Sequence, residues 1–315
     1  MPNANPAAAP AQLFDLQVNG FAGVDFQQPD LTAPQLERAL GALAARRTRI
    51  LFTLVTDRID ALCAKLERTE AMRRDSRFAG VIAGYHLEGP YLSPERGYHG
   101  AHPPELLKAP DPGEFERLWR ASGETLRLIT LAPEWPGSAD FIRHVRAHGV
   151  RTAIGHSAAG DGEIDRAIAA GLGMCTHLGN GVPVQLHRHD NIIQRLLARD
   201  ELDAVFIPDG IHLPPATLRN FVRAKPAARV LFTTDCMAAA GAPPGRFRIG
   251  RLEVEVGADG VVREPGRENF AGSSLTMDAA LANVQRFLDW PAAEALAACS
   301  GRVLAALGLV EKPLP

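Results

Sequence analysis

Residues 230–235 read Val230-Leu231-Phe232-Thr233-Thr234-Asp235, a short apolar and β-branched run that ends in a carboxylate. Similar runs recur along the chain with amphipathic segments between them, which is the pattern of strands alternating with helices in a parallel sheet. We count eight predicted strands, at residues 15–19, 50–56, 81–88, 126–131, 151–156, 174–178, 202–207 and 229–235. Eight such strands favour a sheet that closes on itself.

The segments between the runs carry apolar residues at helical spacing. In 33–45, Leu36, Leu40 and Leu43 recur behind Thr32, a residue type that caps helices. The same reasoning predicts helices at 138–147, 161–170, 191–198 and 215–223. A doubly wound open sheet would give the same alternation, but Gly20 and Gly23 lack the third glycine of a dinucleotide-binding turn. The sequence therefore predicts an α/β fold, a (β/α)8 TIM barrel.

Polar residues gather at the C-terminal ends of the predicted strands, whereas the strand interiors are apolar. In a (β/α)8 barrel the active site lies at these strand ends and in the loops that follow them. The asymmetry therefore predicts a functional site at one rim. The polar residues are Gln17, Asn19, His86, Glu88, His156, His177, Asp209 and Asp235.

Three of these residues suit a metal ion. His156 and His177 end neighbouring predicted strands, and Glu88 would add one carboxylate, which leaves an open position for water, as catalytic zinc sites require. A single histidine is more often a hydrogen-bonded structural residue, but three matching strand ends favour the metal site. Asp235 would face the same opening and could handle the proton of the water, although an isolated aspartate could equally cap the next segment.

Two further histidines have weaker patterns. His212 follows the seventh predicted strand and could contact a substrate hydroxyl or polarise a carbonyl. His86 lies two residues before Glu88 and therefore points to the same side of the strand. It could orient the site or be a buried structural histidine, and the residues alone leave both readings open.

Composition excludes several partners. The 34 basic and 36 acidic side chains nearly cancel, so no overall field favours nucleic acid or an anionic membrane. No apolar run is long enough to cross a bilayer, and the first residues lack the pattern of a secretory signal. The four cysteines form no CxxC pair, which fits reduced thiols. We therefore expect a cytoplasmic protein that acts on a small molecule.

We expect one catalytic domain at 13–315, preceded by a flexible arm at 1–12. Two segments interrupt the alternation of strands and helices. The Pro- and Gly-rich segment 89–112 predicts a long functional loop after the third strand. Residues 247–262 alternate and reach Asp259-Gly260, a turn signal, so they predict a β-hairpin inserted between the eighth strand and its helix.

Seven motifs in order resemble N-acetylglucosamine-6-phosphate deacetylases of the amidohydrolase superfamily, from Asp15 to about Leu309. The resemblance implies that Glu88, His156 and His177 hold the metal and that Asp235 is the general base and then the general acid. Gln17 and Asn19 stand where many amidohydrolases have two histidine ligands, which implies one metal ion. The motifs are Asp15-Leu16-Gln17-Val18-Asn19-Gly20, His86-Leu87-Glu88-Gly89-Pro90, Gly155-His156-Ser157, Thr176-His177-Leu178-Gly179-Asn180, Asp209-Gly210-Ile211-His212, Thr234-Asp235 and Ala271-Gly272-Ser273-Ser274-Leu275-Thr276-Met277.

The resemblance also implies substrate contacts. Asn180, Gly181 and His212 would hold the sugar, and Arg188 would bind its phosphate. His102 matches a family histidine in the loop after the third strand, with His99 as its rival. Family members form homodimers in which the partner can supply the phosphate-binding arginine, so a homodimer is expected here.

The implied reaction is metal-dependent hydrolysis of the acetamide of an N-acetylated amino sugar, with N-acetylglucosamine 6-phosphate as the leading substrate. Zinc is the expected ion, with iron and other divalent metals open. The family's accessory β-sandwich is expected to be largely or wholly missing. Two alternatives stay open: a related amidohydrolase acting on another N-acyl or cyclic amide, and a barrel that binds sugar without catalysis.

Overall fold

The computed structural model describes residues 12–265 and 270–314. One parallel sheet contains eight strands in chain order, each paired with the next. The predicted α/β barrel is therefore confirmed. Its strands are β1 (Leu13–Val18), β2 (Thr48–Val55), β3 (Ile82–Glu88), β4 (Leu126–Leu131), β5 (Arg151–Ile154), β6 (Met174–Cys175), β7 (Asp203–Phe206) and β8 (Val230–Phe232).

Ten α-helices surround the strands within the described residues, and the helices predicted at 33–45, 138–147, 161–170 and 215–223 have the expected bounds. Short 3-10 turns lie at Ala79–Val81, Pro104–Leu106 and Ala227–Arg229. None of the described helices has the length and apolar character needed to cross a membrane. The helices are α1 (Ala33–Ala45), α2 (Ile59–Asp75), α3 (Pro112–Ala121), α4 (Ser138–Ala147), α5 (Asp161–Ala170), α6 (Ile192–Leu197), α7 (Pro215–Arg223), α8 (Met277–Leu288), α9 (Ala292–Ala298) and α10 (Gly301–Ala306).

Side chains alternate along each strand between the barrel interior and the surrounding helices. The side chains that point into the barrel form an apolar cluster at the end where the strands begin, which we call the lower end. Val303 and Leu304 of α10, and Leu307 directly after it, pack against this cluster. Ser300, just before α10, donates a hydrogen bond to the carbonyl of Gln12, just before β1. The C-terminal helix therefore closes the end of the barrel at which the strands begin. The strand residues of this cluster are Phe14, Leu16, Leu51, Leu128, Ala153, Met174, Val205 and Leu231.

Closure of the barrel depends on a short contact between β1 and the end of β8. Val18 bridges Cys236 in parallel, and the Asn19 N–H donates to the Cys236 carbonyl at 2.7 Å. Below this bridge, the buried carboxylate of Asp15 accepts hydrogen bonds from both hydroxyls of Thr233 and Thr234 and from the Thr234 N–H. One carboxylate thus joins the first strand to the last.

Two small antiparallel sheets lie outside the barrel. Residues Gly20–Phe21 pair with Val24–Asp25, and three strands form between β8 and α8, at Gly245–Ile249, Leu252–Val256 and Val262–Arg263. The hairpin predicted at 247–262 lies within this three-stranded sheet, with Asp259-Gly260 between its second and third strands. The predicted arm at 1–12 lies outside the described residues except for Gln12, which is buried.

The structure corrects the ends of three strands. β5, β6 and β8 end before His156, His177 and Asp235, which the sequence placed inside the strands. The reason is local: each of these three residues has a positive φ, and extended pairing cannot continue through such a residue.

Replacing Asp15 with Ala should lower the free energy of unfolding by about 2–3 kcal/mol, because two hydroxyls and one backbone N–H would lose their acceptor in the core. The change is measured by urea denaturation. Asp30→Ala, at an exposed position, is the control and should stay within about 0.5 kcal/mol of the wild type. Equal stability of both variants would contradict the role assigned to Asp15.

Candidate active site

The candidate site lies at the rim where the barrel strands end. Glu88 is the last residue of β3, His156 and His177 follow β5 and β6 by two residues, and Asp235 follows β8 by three. The first three side chains are buried and Asp235 is partly exposed. The rim therefore brings together all four residues that the sequence singled out.

Glu88, His156 and His177 form a compact cluster. Oε1 of Glu88 lies 2.9 Å from Nε2 of His177 and 3.5 Å from Nε2 of His156. One potential ligand atom from each residue lies within 4.8 Å of the others. Two nitrogens and one carboxylate oxygen at this spacing could hold a single divalent ion.

The hydrogen bonds around His156 fit such an ion. Nδ1 of His156 lies 2.8 Å from the carbonyl oxygen of Tyr98, which can only accept, so Nδ1 carries the proton. Nε2 then faces the Glu88 carboxylate either with a second proton or as a lone pair directed at a cation. Backbone support of this kind is typical of metal-binding histidines. The donor set therefore fits a divalent metal.

The charges of Glu88 and the neighbouring histidines stabilise one another. Burial alone would raise the pKa of Glu88, but hydrogen bonds from His156 and His177 hold that pKa well below its usual range. Burial would lower the pKa of His177, but the adjacent Glu88 outweighs burial and raises it. The pocket thus keeps a negative carboxylate in the protein interior and supplies positive charge around it.

The backbone is strained at the same positions. His156, His177 and Asp235 have φ values of 50°, 29° and 50°, in the left-handed region that residues with a Cβ seldom adopt. Each such residue costs on the order of 1–3 kcal/mol, and strain of this kind concentrates at functional sites. Its recurrence at three strand ends indicates that the surrounding structure holds these side chains in place.

Asp235 stands apart from the three-residue cluster. Its Oδ1 accepts a hydrogen bond of 2.7 Å from Nδ2 of Asn19. Burial and the nearby charge of Glu88 raise the pKa of Asp235 to about 7, although His177, His212 and Asn19 act in the opposite direction. A carboxyl group that titrates near neutrality can both accept and return a proton.

A polar layer lies directly below the cluster. Nε2 of His86 contacts the Thr130 hydroxyl at 2.8 Å, and that hydroxyl contacts the Thr176 hydroxyl at 2.7 Å. His86 is fully buried, and burial lowers its pKa to about 4. Because Thr176 precedes His177, this chain of hydrogen bonds supports the cluster from inside the barrel. Gln17 is also buried, with neither side-chain polar atom bonded to a described residue.

The loop after β3 folds over the cluster, and His102, not His99, faces it. Nδ1 of His102 lies 2.8 Å from the Thr56 hydroxyl, and its Nε2 lies 3.8 Å from Oε2 of Glu88. His99 is partly exposed, and its Nδ1 donates to the His102 carbonyl. The structure therefore places His102 at the site, where the sequence left His99 and His102 as alternatives.

Asn180 and Gly181 lie beside His156 and His177. Nδ2 of Asn180 donates to the His177 carbonyl at 3.2 Å. Gly181 has φ +65°, and a Cβ there would lie 2.9 Å from Nδ1 of His156. Gly100 approaches the same ring, with a Cβ position 2.8 Å from Cε1. The imidazole of His156 is therefore enclosed between two glycines that leave no room for a side chain.

His212 is held by a local carboxylate. Nδ1 of His212 lies 2.6 Å from Oδ2 of Asp209, and Oδ1 of Asp209 accepts the N–H groups of Ile211 and His212. Arg188, in contrast, is exposed in the segment between β6 and α6 and forms no ion pair with a described residue. The structure brings His212 close enough to influence Asp235 but does not bring Arg188 to the cluster within one chain.

Sequence reasoning missed three supporting groups. The Thr56 hydroxyl positions His102, the Tyr98 carbonyl positions His156, and Glu134 accepts from the Ser157 hydroxyl and the Ala158 N–H. Thr56 ends the second predicted strand and so carried the same strand-end signal as the others. A backbone carbonyl has no such signal in residue type.

The chain is similar to curated deacetylases of phosphorylated amino sugars. It is 34% identical over 287 residues to the N-acetylgalactosamine-6-phosphate deacetylase of Escherichia coli O157:H7, which covers 90% of this chain and 73% of that one. It is 35% identical over 313 residues to the N-acetylglucosamine-6-phosphate deacetylase of Bos taurus, with coverage of 95% and 74%. No protein-family model matches the chain.

Solved structures give the same result. The N-acetyl-D-glucosamine-6-phosphate deacetylase of Mycobacterium smegmatis superposes with a TM-score of 0.85 at 30% identity, over 98% of this chain and 82% of that one. A mutant of that enzyme in complex with N-acetyl-D-glucosamine-6-phosphate gives 0.86 at 31% identity, with the same coverage.

A (β/α)8 barrel with one carboxylate, two imidazoles and a separate aspartate at its rim defines the class of metal-dependent amidohydrolases. Within that class, the chain belongs to the N-acetylglucosamine-6-phosphate deacetylase family. The resemblance drawn from the sequence motifs is confirmed. The family implies a divalent metal, and the cluster of Glu88, His156 and His177 could hold it.

In protein stripped of metal by a chelator, Asp235→Asn should stabilise the fold at pH 8 but not at pH 4. The folded-state pKa is raised above the unfolded value of 3.8, so the contribution of protonated Asp235 is lost as pH rises through about 7. Asn stays neutral throughout and should gain up to roughly 4 kcal/mol at pH 8, the free energy that corresponds to a pKa raised from 3.8 to about 7.

Thermal unfolding of both proteins across this pH range measures the difference. Asp30→Asn, at an exposed position, should follow the wild type at every pH. A difference between Asp235→Asn and the wild type that is independent of pH would contradict the raised pKa.

Proposed function

We propose that this protein hydrolyses the acetamide of an N-acetylated amino sugar 6-phosphate, with N-acetylglucosamine 6-phosphate as its principal substrate, to the free amine and acetate. The observation that carries this proposal is the separation of roles at the rim. A buried carboxylate and two imidazoles converge on one point, while Asp235 remains beside them as a separate acid–base group. Relatives named as deacetylases of such sugars support the substrate class.

Glu88, His156 and His177 hold one divalent ion in this proposal. When bound there, the ion would polarise the amide carbonyl and acidify the attacking water. Zinc suits two imidazole nitrogens and one carboxylate oxygen, and iron is the nearest alternative. Gln17, on β1, and Asn19, just after it, stand where many amidohydrolases have two further histidine ligands. Asn19 is hydrogen-bonded to Asp235, which supports a site for one ion.

Asp235 acts as the base and then as the acid. Its carboxylate takes a proton from the attacking water and later delivers that proton to the leaving nitrogen, so the carbon–nitrogen bond breaks to give a neutral amine. Burial raises the pKa of Asp235 from its ordinary value and favours the state in which the carboxyl holds the proton, whereas a cation bound at Glu88 would act in the opposite direction. The hydrogen bond from Asn19 fixes the orientation of the carboxylate during the exchange.

The substrate lies against the segment after β6 and under the loop after β3. Asn180 and Gly181, which lie beside His177 and His156, contact the sugar ring. His102 and His212, held by Thr56 and Asp209, donate to sugar hydroxyls or to the oxygen of the tetrahedral intermediate.

Arg188 binds the phosphate, and it does so across a homodimer. Its side chain is exposed, and Val184 on the same segment is fully exposed although apolar. A second copy of the chain would cover Val184 and would receive Arg188 at its own site. A symmetric dimer gives two such exchanges. We also propose a cytoplasmic location, which agrees with four cysteines that form no disulfide.

Acetate release from N-acetylglucosamine 6-phosphate tests the function, and the galacto epimer and the unphosphorylated sugar complete the panel. The wild type should favour a phosphorylated sugar. Asp235→Asn should lower kcat by about 10²–10⁴-fold, because proton transfer is lost, while metal analysis finds the ion still bound. Glu88→Gln should instead lose the metal.

Asp30→Asn serves as the matched control and should keep wild-type turnover. Wild-type turnover in Asp235→Asn would refute its role as the base. Failure of the wild type on every phosphorylated sugar, together with hydrolysis of other N-acyl or cyclic amides, would move the protein to another amidohydrolase activity. A chain that binds these sugars without turnover would be a binding protein.

Mixing two impaired variants tests whether Arg188 acts in trans. Arg188→Ala should lower kcat/KM for the phosphorylated sugar by about 10–100-fold, because a charge-assisted contact to phosphate is lost. Co-refolded with Asp235→Asn, it should recover roughly a quarter of wild-type activity, since half the dimers are mixed and each has one intact site.

Light scattering on the same samples should give the mass of a dimer. Arg223→Ala, at an exposed position on α7, should keep full activity alone. Absence of recovery in verified mixed dimers would indicate that Arg188 acts within its own chain or not at all.

A further inference from the structure

A second group of metal-ligating side chains lies on the outside of the barrel, between α3 and α4. Glu116 is on α3, His144 is on α4, and His148 directly follows α4. Their side chains are 31%, 35% and 27% exposed, so solvent ions can reach them. The active site described above does not use any of the three.

The geometry of this outer cluster parallels that of the site at the rim. Oε1 of Glu116 lies 2.8 Å from Nε2 of His144 and 3.1 Å from Nε2 of His148. One ligand atom from each of the three side chains lies within 4.8 Å of the others. His144 and His148 are four residues apart, which places both imidazoles on one face of the helix end.

The tautomer of His148 is compatible with a bound cation. Its Nδ1 lies 3.1 Å from the His144 carbonyl oxygen, which can only accept, so Nδ1 carries the proton. Nε2 of His148 therefore faces the Glu116 carboxylate either with a second proton or as a lone pair. A divalent ion between the three side chains would satisfy this nitrogen, the His144 nitrogen and the carboxylate together.

Neighbouring aromatic rings hold the imidazoles in position. Phe115 packs edge-on to His144 and His148, with ring centroids 5.5 and 5.0 Å apart, and Trp119 packs against His148 at 5.6 Å. Arg120 approaches the other carboxylate oxygen of Glu116 at 4.0 Å and is largely exposed, so it leaves Oε1 available. A fixed ring orientation lowers the entropic cost of binding an ion.

We propose that Glu116, His144 and His148 form a second site for a divalent transition metal such as Zn²⁺, with solvent completing the coordination. This outer site is independent of the first. Helices of a (β/α)8 barrel return the chain to the edge where the next strand begins, so the end of α4 lies away from the catalytic rim. An ion bound there joins α3 to α4 and stabilises the outer layer.

Metal content after dialysis against buffered micromolar Zn²⁺ tests the outer site. The wild type should hold one more Zn²⁺ per chain than the double variant His144→Gln/His148→Gln. Glu116→Gln keeps both imidazoles and should show the same loss. The matched control, His187→Gln/His189→Gln, removes two exposed histidines elsewhere and should retain the wild-type content.

Thermal unfolding provides a second readout that is free of the first site. In Glu88→Gln, added Zn²⁺ should still raise the unfolding midpoint, and this rise should disappear when His144→Gln/His148→Gln is added. Equal Zn²⁺ content in the wild type and both outer-site variants would overturn the proposal and would mean that only a proton joins His148 to Glu116.

Discussion

The buried carboxylate of Glu88 is the interaction on which the site depends. A negative charge in a protein interior is costly unless charges and hydrogen bonds surround it. His156 and His177 point at one of its oxygens, and His102 approaches the other. Burial raises the pKa of Asp235 and the same charge raises it further, so Glu88 contributes both to the affinity for a cation and to the proton affinity of the neighbouring acid.

Holding these groups together requires support from above and below. Thr130 and Thr176 link the barrel interior to the strand end that carries His177, and the loop after β3 presents the Tyr98 carbonyl to His156 from outside. The strained left-handed backbone just after the strands persists because this packing fixes it. Strain, buried charge and polar support therefore belong to one arrangement.

The fold and the gathering of strand-end residues at one rim were predictable because each depends on a short local pattern. Alternating apolar runs give the strands, and a polar residue at the end of a run, such as Glu88 or His156, must lie at the common rim. The shortened ends of β5, β6 and β8 were not predictable, since residue type does not reveal a positive φ at His177. Likewise, only the path of the loop after β3 shows that His102, and not His99, faces the cluster. Arg188 forms no ion pair with a described residue of its own chain, so the fold of one chain does not reveal its role.

The helix that closes the lower end of the barrel restricts where the substrate enters and where the products leave. Because Val303, Leu304 and Leu307 fill that end, the catalytic rim is the entrance for the sugar and also the exit for both products. Acetate and the amino sugar must then leave through the same opening by which the substrate enters, past the loop after β3. A segment that covers this opening can therefore limit turnover, even when the chemical step is fast.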